Sequence, residues 1–244
     1  MRVALVTGAG RGLGAEIARS LGSAGYAVAV NDLIIDAASA VASSIADAGG
    51  TATAFPADVT DEQAVRGMVD AISGSLGDVQ VLVANASGPQ PVIGFEELTW
   101  PDVQRHLDFF AKSPLLLAQA VLPGMKRAGV GRIIHIGSDL FERGDLGWSA
   151  YMAAKGAMLG LTRGWALELG RFGITVNLIA PGWIPVERHE GTPENLLQDY
   201  RDDTAIQRSG TPADIAATVL FLASDGAAFI IGERLAVNGG HTFS

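Results

Sequence analysis

The chain has 244 residues, of which 48% are hydrophobic, and its formal net charge is −9 at pH 7. This length and composition can bury a substantial core, and no cluster of Lys or Arg offers a footprint for nucleic acid or an anionic membrane. The lack of cysteine excludes disulfides, thiol catalysis and thiolate metal sites. No apolar run reaches the ~18 residues of a transmembrane helix, and no signal peptide opens the chain. We therefore expect a soluble, cytoplasmic protein that acts on a small molecule.

The N-terminal segment has the pattern of a strand, a glycine turn and a helix. Val3–Val6 is a short apolar run typical of a strand buried on both faces, and TGAGRGLG follows at 7–14. Gly8, Gly12 and Gly14 would let the backbone approach a pyrophosphate closely, while the next helix would direct its free N–H groups at that anion. The segment predicts a dinucleotide site, although a glycine-rich turn without a ligand fits the same residues.

The second predicted strand, 26–30, leads to an acid that bears on cofactor choice. Asp32 follows Gly14 by 18 residues, where a carboxylate is expected to accept hydrogen bonds from the adenosine ribose. Such a carboxylate repels a 2′-phosphate, so Asp32 favours NAD over NADP. Arg11 is a counter-signal, because its charge would attract a 2′-phosphate, but it cannot remove the repulsion at Asp32. A helix cap or a surface acid is the alternative interpretation of Asp32.

The rest of the chain alternates between strand-like and helix-like segments without a break in composition. Further strands are predicted at 51–55, at 79–83, in the 130s, at 173–179 and at 230–237. Helices are predicted at 15–24, 35–48, 60–75 (capped by Thr60), 99–128 (bent at Pro114), 148–171 and 212–223. This alternation predicts right-handed parallel crossovers, with the ligand site at the carboxyl ends of the strands. We see no repeat or linker, so a single domain spanning 1–244 is expected.

The helix predicted at 148–171 carries a tyrosine and a lysine one turn apart. Residues i and i+4 project from one face, so the cation of Lys155 would favour the phenolate of Tyr151 and lower its pKa. Ser138, 13 positions before Tyr151, follows an apolar strand, and its hydroxyl would reach the same substrate oxygen. The YxxxK spacing is weak by itself, because a half-buried Tyr beside a snorkelling Lys also produces it.

Several short motifs occur together in the order found in one enzyme family. They are TGAGRGLG, Asp32, ADV at 57–59, Ser138, YMAAK at 151–155, PG at 181–182 and VNGG at 237–240. With these motifs the chain resembles a short-chain dehydrogenase/reductase, similar to 3-oxoacyl-[acyl-carrier-protein] reductases and NAD-dependent hydroxysteroid dehydrogenases. The resemblance implies one doubly wound, Rossmann-like α/β domain of about seven parallel strands, usually in dimers or tetramers. It also implies reversible hydride transfer between a nicotinamide and a secondary alcohol or ketone.

The family's residue roles carry over to the matching positions. Tyr151 is similar to the acid/base, Lys155 to the residue that binds the nicotinamide ribose, and Ser138 to the one that polarises the substrate oxygen. The other cofactor contacts implied are Gly8, Arg11, Gly12, Leu13, Gly14, Asp32, Asp58, Val59, Asn85, Pro181, Gly182 and Ile184. The substrate pocket is expected at Asp139, Trp148 and Trp183. No metal site is predicted, because the four histidines lack ligand-like spacing with carboxylates.

Three positions depart from the family pattern. Ala84 replaces the first of two asparagines after the fourth strand, and Val186 replaces a threonine near the nicotinamide carboxamide. Phe110 stands where an asparagine normally stabilises a helix distortion and supports a water relay to the lysine. Because Phe110 can neither donate nor accept, the alternatives are a nucleotide-binding regulatory relative or a partner subunit without turnover. The intact serine, tyrosine and lysine argue against both.

Two further predictions concern assembly and a mobile cover. Apolar residues run along more than one face of 107–121 and 152–169, which predicts a homo-oligomer, either a dimer or a tetramer. The segment at about 185–208 is rich in charge and poor in large apolar residues. It predicts a substrate-covering lid that is mobile without ligand, with an ordinary solvated helix and loop as the alternative. His135, within an apolar strand, is interpreted as a hydrogen-bonded core residue.

Overall fold

One parallel sheet organises the computed structural model, which describes residues 1–243. Its strand order is β3-β2-β1-β4-β5-β6-β7, and every neighbouring pair is parallel. The strands are β1 (Val3–Val6), β2 (Ala27–Asp32), β3 (Thr51–Pro56), β4 (Val79–Ala84), β5 (Gly131–Ile136), β6 (Ile174–Pro181) and β7 (Arg234–Val237). The predicted doubly wound sheet of seven parallel strands is confirmed.

Helices cover both faces of this sheet. They are α1 (Gly12–Ser23), α2 (Ile35–Asp47), α3 (Glu62–Ser75), α4 (Trp100–Leu107), α5 (Ser113–Ala128), α6 (Leu140–Arg143), α7 (Ser149–Leu169), α8 (Glu194–Asp202) and α9 (Pro212–Ala223). Short 3-10 turns lie at Gly170–Phe172, Glu187–His189 and Asp225–Ala227, and a π-helical segment at Asp108–Lys112 joins α4 to α5. Within residues 1–243, no helix combines the length and apolar character needed to cross a bilayer.

The sheet separates two hydrophobic layers. Ala4 and Val6 of β1 pack with α1, α2 and α9, whereas Val3 and Leu5 pack with α3, α5 and α7. Successive side chains of a strand point to opposite faces, and both faces are covered here. The central strands therefore have no polar face, which explains why they are continuous apolar runs in the sequence.

The start of α3 differs from the sequence expectation. The helix begins at Glu62, and its cap is Asp61, whose carboxylate accepts a hydrogen bond from the Ala64 N–H at 2.7 Å. Thr60 does not cap it; its N–H and hydroxyl donate to the Asp58 carboxylate at 2.8 and 2.7 Å. Both residues have side chains suited to a cap, so the turn geometry decides between them.

The helix predicted at 99–128 is interrupted earlier than expected. The π-helical segment Asp108–Lys112 precedes Pro114, which lies in the first turn of α5. Proline is tolerated there because its missing N–H would have no partner within the helix. The discontinuity therefore lies at the π-helical segment and not at the proline.

A core substitution tests the packing of α1 against the sheet. Leu21 is fully buried, whereas Leu33 is 71% exposed. Leu21→Ala should lower the free energy of unfolding by about 2–5 kcal/mol, because it leaves a cavity between α1 and the sheet. Leu33→Ala should change it by less than about 0.5 kcal/mol. Urea denaturation followed by circular dichroism, at one protein concentration, measures both; equal losses would contradict the described core.

Candidate active site

The glycine turn between β1 and α1 forms one side of the site. Gly8 has a φ of 61°, in the left-handed region that favours glycine. A Cβ atom on Gly14 would overlap the carbonyl oxygen of Gly8, so neither position accepts a side chain. The Asn85 amide donates to the carbonyls of Thr7 and Gly8 at 2.9 and 3.2 Å, which fastens the turn to the end of β4.

Asp32 lies beside this turn at the end of β2. Its carboxylate accepts hydrogen bonds from the N–H groups of Gly10 at 3.0 Å and Ile34 at 3.1 Å. The Asp58 carboxylate, after β3, is exposed and bonds Thr60. Arg11 is exposed and has no ion-pair partner in the described part of the chain. The cofactor-side charges are therefore two acids and one unpaired arginine.

Three of the predicted cofactor contacts have their side chains in the core. Leu13 and Ile184 pack in the layer of α1, and Val59 packs in the opposite layer. Any contact of these residues with a cofactor would therefore come from their backbone groups. Pro181 ends β6, and the next N–H, of Gly182, donates to the Val237 carbonyl at 3.2 Å.

The predicted catalytic side chains converge at the ends of β5 and α7. Lys155 is buried, and its Nζ donates to the Ile136 carbonyl at 2.6 Å. The same Nζ lies 3.8 Å from the ring centroid of Phe110 and 5.5 Å from that of Tyr151. Ser138, just beyond β5, accepts a hydrogen bond from the Leu140 N–H at 3.1 Å. The structure thus brings together residues separated by up to 45 positions in the sequence.

The segment after β6 covers this edge of the sheet. The Glu187 carboxylate accepts a hydrogen bond from the Gly12 N–H at 3.4 Å, at the N-terminus of α1. Arg188 reaches the opposite loop, where its Nη1 lies 3.4 Å from the Ser87 hydroxyl. The segment is anchored at its base by the Tyr200 hydroxyl, which accepts from the Trp183 N–H at 2.6 Å. None of these contacts was predicted from the sequence, although charged residues directly after a PG motif were a visible signal.

Comparison with known proteins identifies the family. A family model described as Enoyl-(Acyl carrier protein) reductase matches residues 8–242. The chain is 36% identical over 241 residues to a cis-4-hydroxycyclohexanecarboxylate dehydrogenase of Sinomonas cyclohexanicum, covering 99% of this chain and 96% of that one. The chain belongs to the short-chain dehydrogenase/reductase family. It is therefore an oxidoreductase that uses a nicotinamide cofactor, NAD(P), and acts on CH–OH groups.

Two other relatives cover nearly the whole chain. A 7alpha-hydroxysteroid dehydrogenase of Escherichia coli is 37% identical over 243 residues, which are 98% of this chain and 93% of that one. A gluconate 5-dehydrogenase of Burkholderia cenocepacia, solved in complex with NADP and tartrate, superposes with a TM-score of 0.92. It is 31% identical and covers 98% of this chain and 94% of that one. The resemblance inferred from the motifs is confirmed at the level of the family.

Phe110 makes a contact that the sequence analysis did not foresee in this short-chain dehydrogenase/reductase. Its buried ring lies edge-on to Tyr151 at a centroid separation of 5.4 Å, with the Lys155 Nζ 3.8 Å from its centre. A ring face attracts a cation, so Phe110 supports the lysine without a hydrogen bond. The helix distortion at 108–112 is present although the amide that usually accompanies it is missing. The distortion therefore does not depend on an asparagine.

Burial dominates the protonation of the site. It raises the pKa of the Tyr151 phenol, and a hydrogen bond with Ser138 and the charge of Arg188 partly oppose this effect. Burial, followed by the charge of Arg188, lowers the pKa of Lys155 to about 7. The expected lowering of the Tyr151 pKa by Lys155 is not observed, and burial sets the direction of the shift. At neutral pH the phenol is a proton donor.

Aromatic side chains and a buried carboxylate–imidazole contact occupy the positions predicted for the substrate pocket. Trp148 lies edge-on to Tyr151 at 5.4 Å, and Trp183 lies edge-on to Tyr200 at 5.5 Å, between ring centroids. The buried Asp139 carboxylate lies 3.0 Å from Nδ1 of His241, as part of an ion pair when the imidazole is protonated. The three predicted pocket residues thus differ in exposure. Both tryptophans are partly exposed, whereas Asp139 is buried against His241 of the C-terminal segment.

His135 illustrates a polar residue without a place in the site. It is fully buried, and its Nδ1 lies 2.8 Å from the Thr162 hydroxyl. Burial, with a smaller effect of the Lys155 charge, lowers the pKa of His135 to about 3, so the imidazole is neutral. This agrees with its interpretation as a hydrogen-bonded core residue. Residues 1–243 contain no group of three metal-ligating side chains that could hold an ion.

The depressed pKa of Lys155 predicts a pH-dependent stability. Below about pH 7 the folded state carries the desolvation penalty of the ammonium, and this penalty disappears as pH rises toward the ordinary value of 10.5. Lys155→Met removes the group, so its stability relative to wild type should be greater at pH 6 than at pH 9, by at least about 1 kcal/mol. Urea denaturation at both pH values measures the difference.

Lys126→Met is the matched control for this experiment. Lys126 also lies over an aromatic ring, that of Phe172 at 4.2 Å, but it is exposed. Its substitution should have the same effect at both pH values. A pH-independent effect of Lys155→Met would show that the contacts with Ile136 and Phe110 fully offset the desolvation of the ammonium.

Proposed function

We propose that this protein interconverts a secondary alcohol and its ketone with NAD as the preferred cofactor, as a single dinucleotide-binding and catalytic domain. The observation that carries the proposal is the convergence of Ser138, Tyr151 and Lys155 beside the glycine turn. A protein that only binds nucleotide needs the turn but has no use for the other three groups. The relatives are named for a cyclic hydroxy acid, a hydroxysteroid and gluconate, so their names do not select one substrate.

The glycine turn fits a dinucleotide. Ala86 and the Gly8 carbonyl leave no room for a Cβ atom at Gly8 and Gly14, so the turn is tight and leads directly into the N-terminus of α1, where free N–H groups suit a phosphate. The N–H of Gly12 already bonds a carboxylate, that of Glu187, which shows that this position accepts an anion. Asp32 supports NAD over NADP, because a 2′-phosphate near its carboxylate would be repelled. The NADP in the Burkholderia enzyme is a property of that protein and leaves this argument unchanged.

The mechanism assigns one step to each catalytic side chain. A nicotinamide held beside these residues would supply the acceptor or donor of the hydride that the carbinol carbon loses or the ketone gains. Ser138 donates a hydrogen bond to the substrate oxygen, and Tyr151 takes its proton during oxidation or supplies one during reduction. Because burial keeps the phenol protonated, the free enzyme is ready for reduction. Oxidation requires the phenolate, which the positive charges of Lys155 and Arg188 favour.

Lys155 links this proton transfer to the protein interior. The Ile136 carbonyl fixes the Lys155 ammonium on one side. On the other side lies the Phe110 ring, at the position where the family carries an amide. Any relay of protons from Lys155 toward solvent would therefore pass through water alone, because the Phe110 side chain can neither donate nor accept a proton. This closed side is also the observation that favours the second candidate, a regulatory relative that binds nucleotide with weak turnover.

We also propose that the segment at about 185–208 covers the bound substrate and that the protein is a homo-oligomer, a tetramer by family resemblance. Helix α8 has no fully buried residue, so few apolar contacts hold this segment in place. For assembly, Leu115 in α5 is 37% exposed and Leu167 in α7 is 88% exposed. Such apolar positions on both helices suit burial against a second copy.

Cofactor preference is tested at Asp32. NADH should bind the wild-type protein at least about 10-fold more tightly than NADPH, which corresponds to about 1.4 kcal/mol. Asp32→Ala should narrow this ratio, because it removes the repulsion and the ribose hydrogen bonds together. Asp58→Ala serves as the matched acid on the next strand and should leave the ratio unchanged. Fluorescence titration measures all six affinities; equal wild-type affinities would reject the preference.

The acid/base assignment is tested at Tyr151. Tyr151→Phe should reduce kcat by at least about 100-fold, because it removes the group that exchanges the substrate proton. The affinity for NADH should remain nearly unchanged, since the lost hydroxyl acts on the substrate. Tyr26→Phe is a control, because the Tyr26 hydroxyl donates to the Ala223 carbonyl at 3.1 Å, at the other edge of the sheet. Retention of most activity by Tyr151→Phe would contradict the proposed mechanism.

A further inference from the structure

Arg188 presents an uncompensated charge at the edge of the site. It lies in the 3-10 turn Glu187–His189, is exposed, and reaches toward the loop after β4. Its one side-chain hydrogen bond is a long one of 3.4 Å to the neutral hydroxyl of Ser87. No carboxylate in residues 1–243 forms an ion pair with it. The hydrogen bond to Ser87 therefore positions the guanidinium without neutralising its charge.

The other charged groups around the reacting hydroxyls already have partners. Lys155 is held by the Ile136 carbonyl and the Phe110 ring. Asp139 lies against His241, and the nearby Arg143 pairs with Asp145 at 3.6 Å. Glu187, adjacent to Arg188 in the chain, points to the Gly12 N–H. Among the cations around the reacting hydroxyls, Arg188 is therefore the one available to bind a ligand.

The positive charge of Arg188 changes the pKa values of the catalytic side chains. It lowers the pKa of both Tyr151 and Lys155, in each case after the larger effect of burial. Ser87, which Arg188 reaches, follows β4, and Ser138 follows the neighbouring strand β5, so a substrate group that bonds Arg188 would lie at the same edge of the sheet as the reacting hydroxyls. Trp148 and Trp183 supply apolar surface on the same side of the sheet.

We propose that Arg188 binds a carboxylate of the substrate, so that the substrate is a hydroxy acid, or its keto acid, with an apolar skeleton between the two groups. This inference rests on the proposed function. A guanidinium offers two parallel N–H donors that match a carboxylate, and a charge-assisted pair is stronger than a neutral hydrogen bond. One unpaired cation balances a monoanionic carboxylate better than a dianionic phosphate. In a protein of net charge −9, such a local cation is also needed to attract an anion.

Matched acids and amides test this proposal. The substrates are 4-hydroxycyclohexanecarboxylate and 3-hydroxybutanoate, each with its neutral amide, and 4-hydroxycyclohexyl phosphate. Wild-type kcat/KM should favour an acid over its amide by about 30-fold or more, the value of a hydrogen-bonded charge pair. Arg188→Gln should abolish this preference, mainly by raising KM for the acid. It should change kcat for the acid and for the amide by the same factor, because the effect of Arg188 on the Tyr151 phenolate is common to both, and Arg188→Lys should be intermediate.

Arg66→Gln is the control variant, because Arg66 is exposed and forms a 2.7 Å ion pair with Glu62 within α3, outside the site. It should retain the full preference for the acid. A wild-type enzyme that turns over acid and amide equally would overturn the proposal and leave the proposed function intact. A preference for the phosphate ester over the carboxylate would also overturn it.

A binding measurement separates the carboxylate site from cofactor contacts and from turnover. In isothermal titration calorimetry, the wild-type complex with NADH should bind cyclohexanecarboxylate more tightly than cyclohexanecarboxamide, and Arg188→Gln should lose this difference. NADH affinity should stay within about 3-fold, since the guanidinium serves the substrate. If Arg188→Gln weakened NADH and left the acid preference unchanged, Arg188 would be a cofactor contact. If none of the alcohols turned over, the proposed function would fail, while this titration would still decide the role of Arg188.

Discussion

The buried ammonium of Lys155 is the interaction on which the geometry of the site depends. It joins α7 to the end of β5 through the Ile136 carbonyl and to the π-helical segment through the Phe110 ring. Removing a charge from water is costly, and these two contacts offset only part of the cost, as the lowered pKa of Lys155 shows. A residue selected for stability alone would be apolar here. This energetic cost is consistent with a lysine that is retained for chemistry. Tyr151 lies one helical turn from Lys155 in α7, so the two side chains stay close together.

Phe110 shows that the position of this lysine can be supported in more than one way. An amide would support it with hydrogen bonds and water, whereas the ring supports it with its π face and excludes water. The ring also packs edge-on to Tyr151, so it contributes to the desolvation that keeps the phenol protonated. The substitution therefore changes the electrostatics of the site more than its geometry. The π-helical segment persists because the packing around Phe110 accommodates it.

Much of the fold and part of the site could be predicted from the sequence, for physical reasons. Two-sided burial makes a strand such as β1 a continuous apolar run, and the glycine turn excludes side chains, so both leave strong local signals. The choice of Asp61 over Thr60 as a cap was not predictable, because both residues are suitable and the turn decides. Nor was the cation–π contact of Lys155, which joins residues 45 positions apart. Contacts of Arg188 and His241 depend on where two loops meet, and local patterns carry no such information.

The loop after β6 connects the two halves of the site. Its base is fixed by Trp183 and Tyr200, while Glu187 and Arg188 face opposite sides of the cleft. A phosphate bound at the N-terminus of α1 would compete with the Glu187 carboxylate for the Gly12 N–H, since two anions there repel each other. Displacement of Glu187 would move its neighbour Arg188, because both belong to one short turn. A cofactor phosphate that displaced Glu187 would thus also reposition Arg188, so binding of the cofactor first would set the position in which Arg188 meets the substrate.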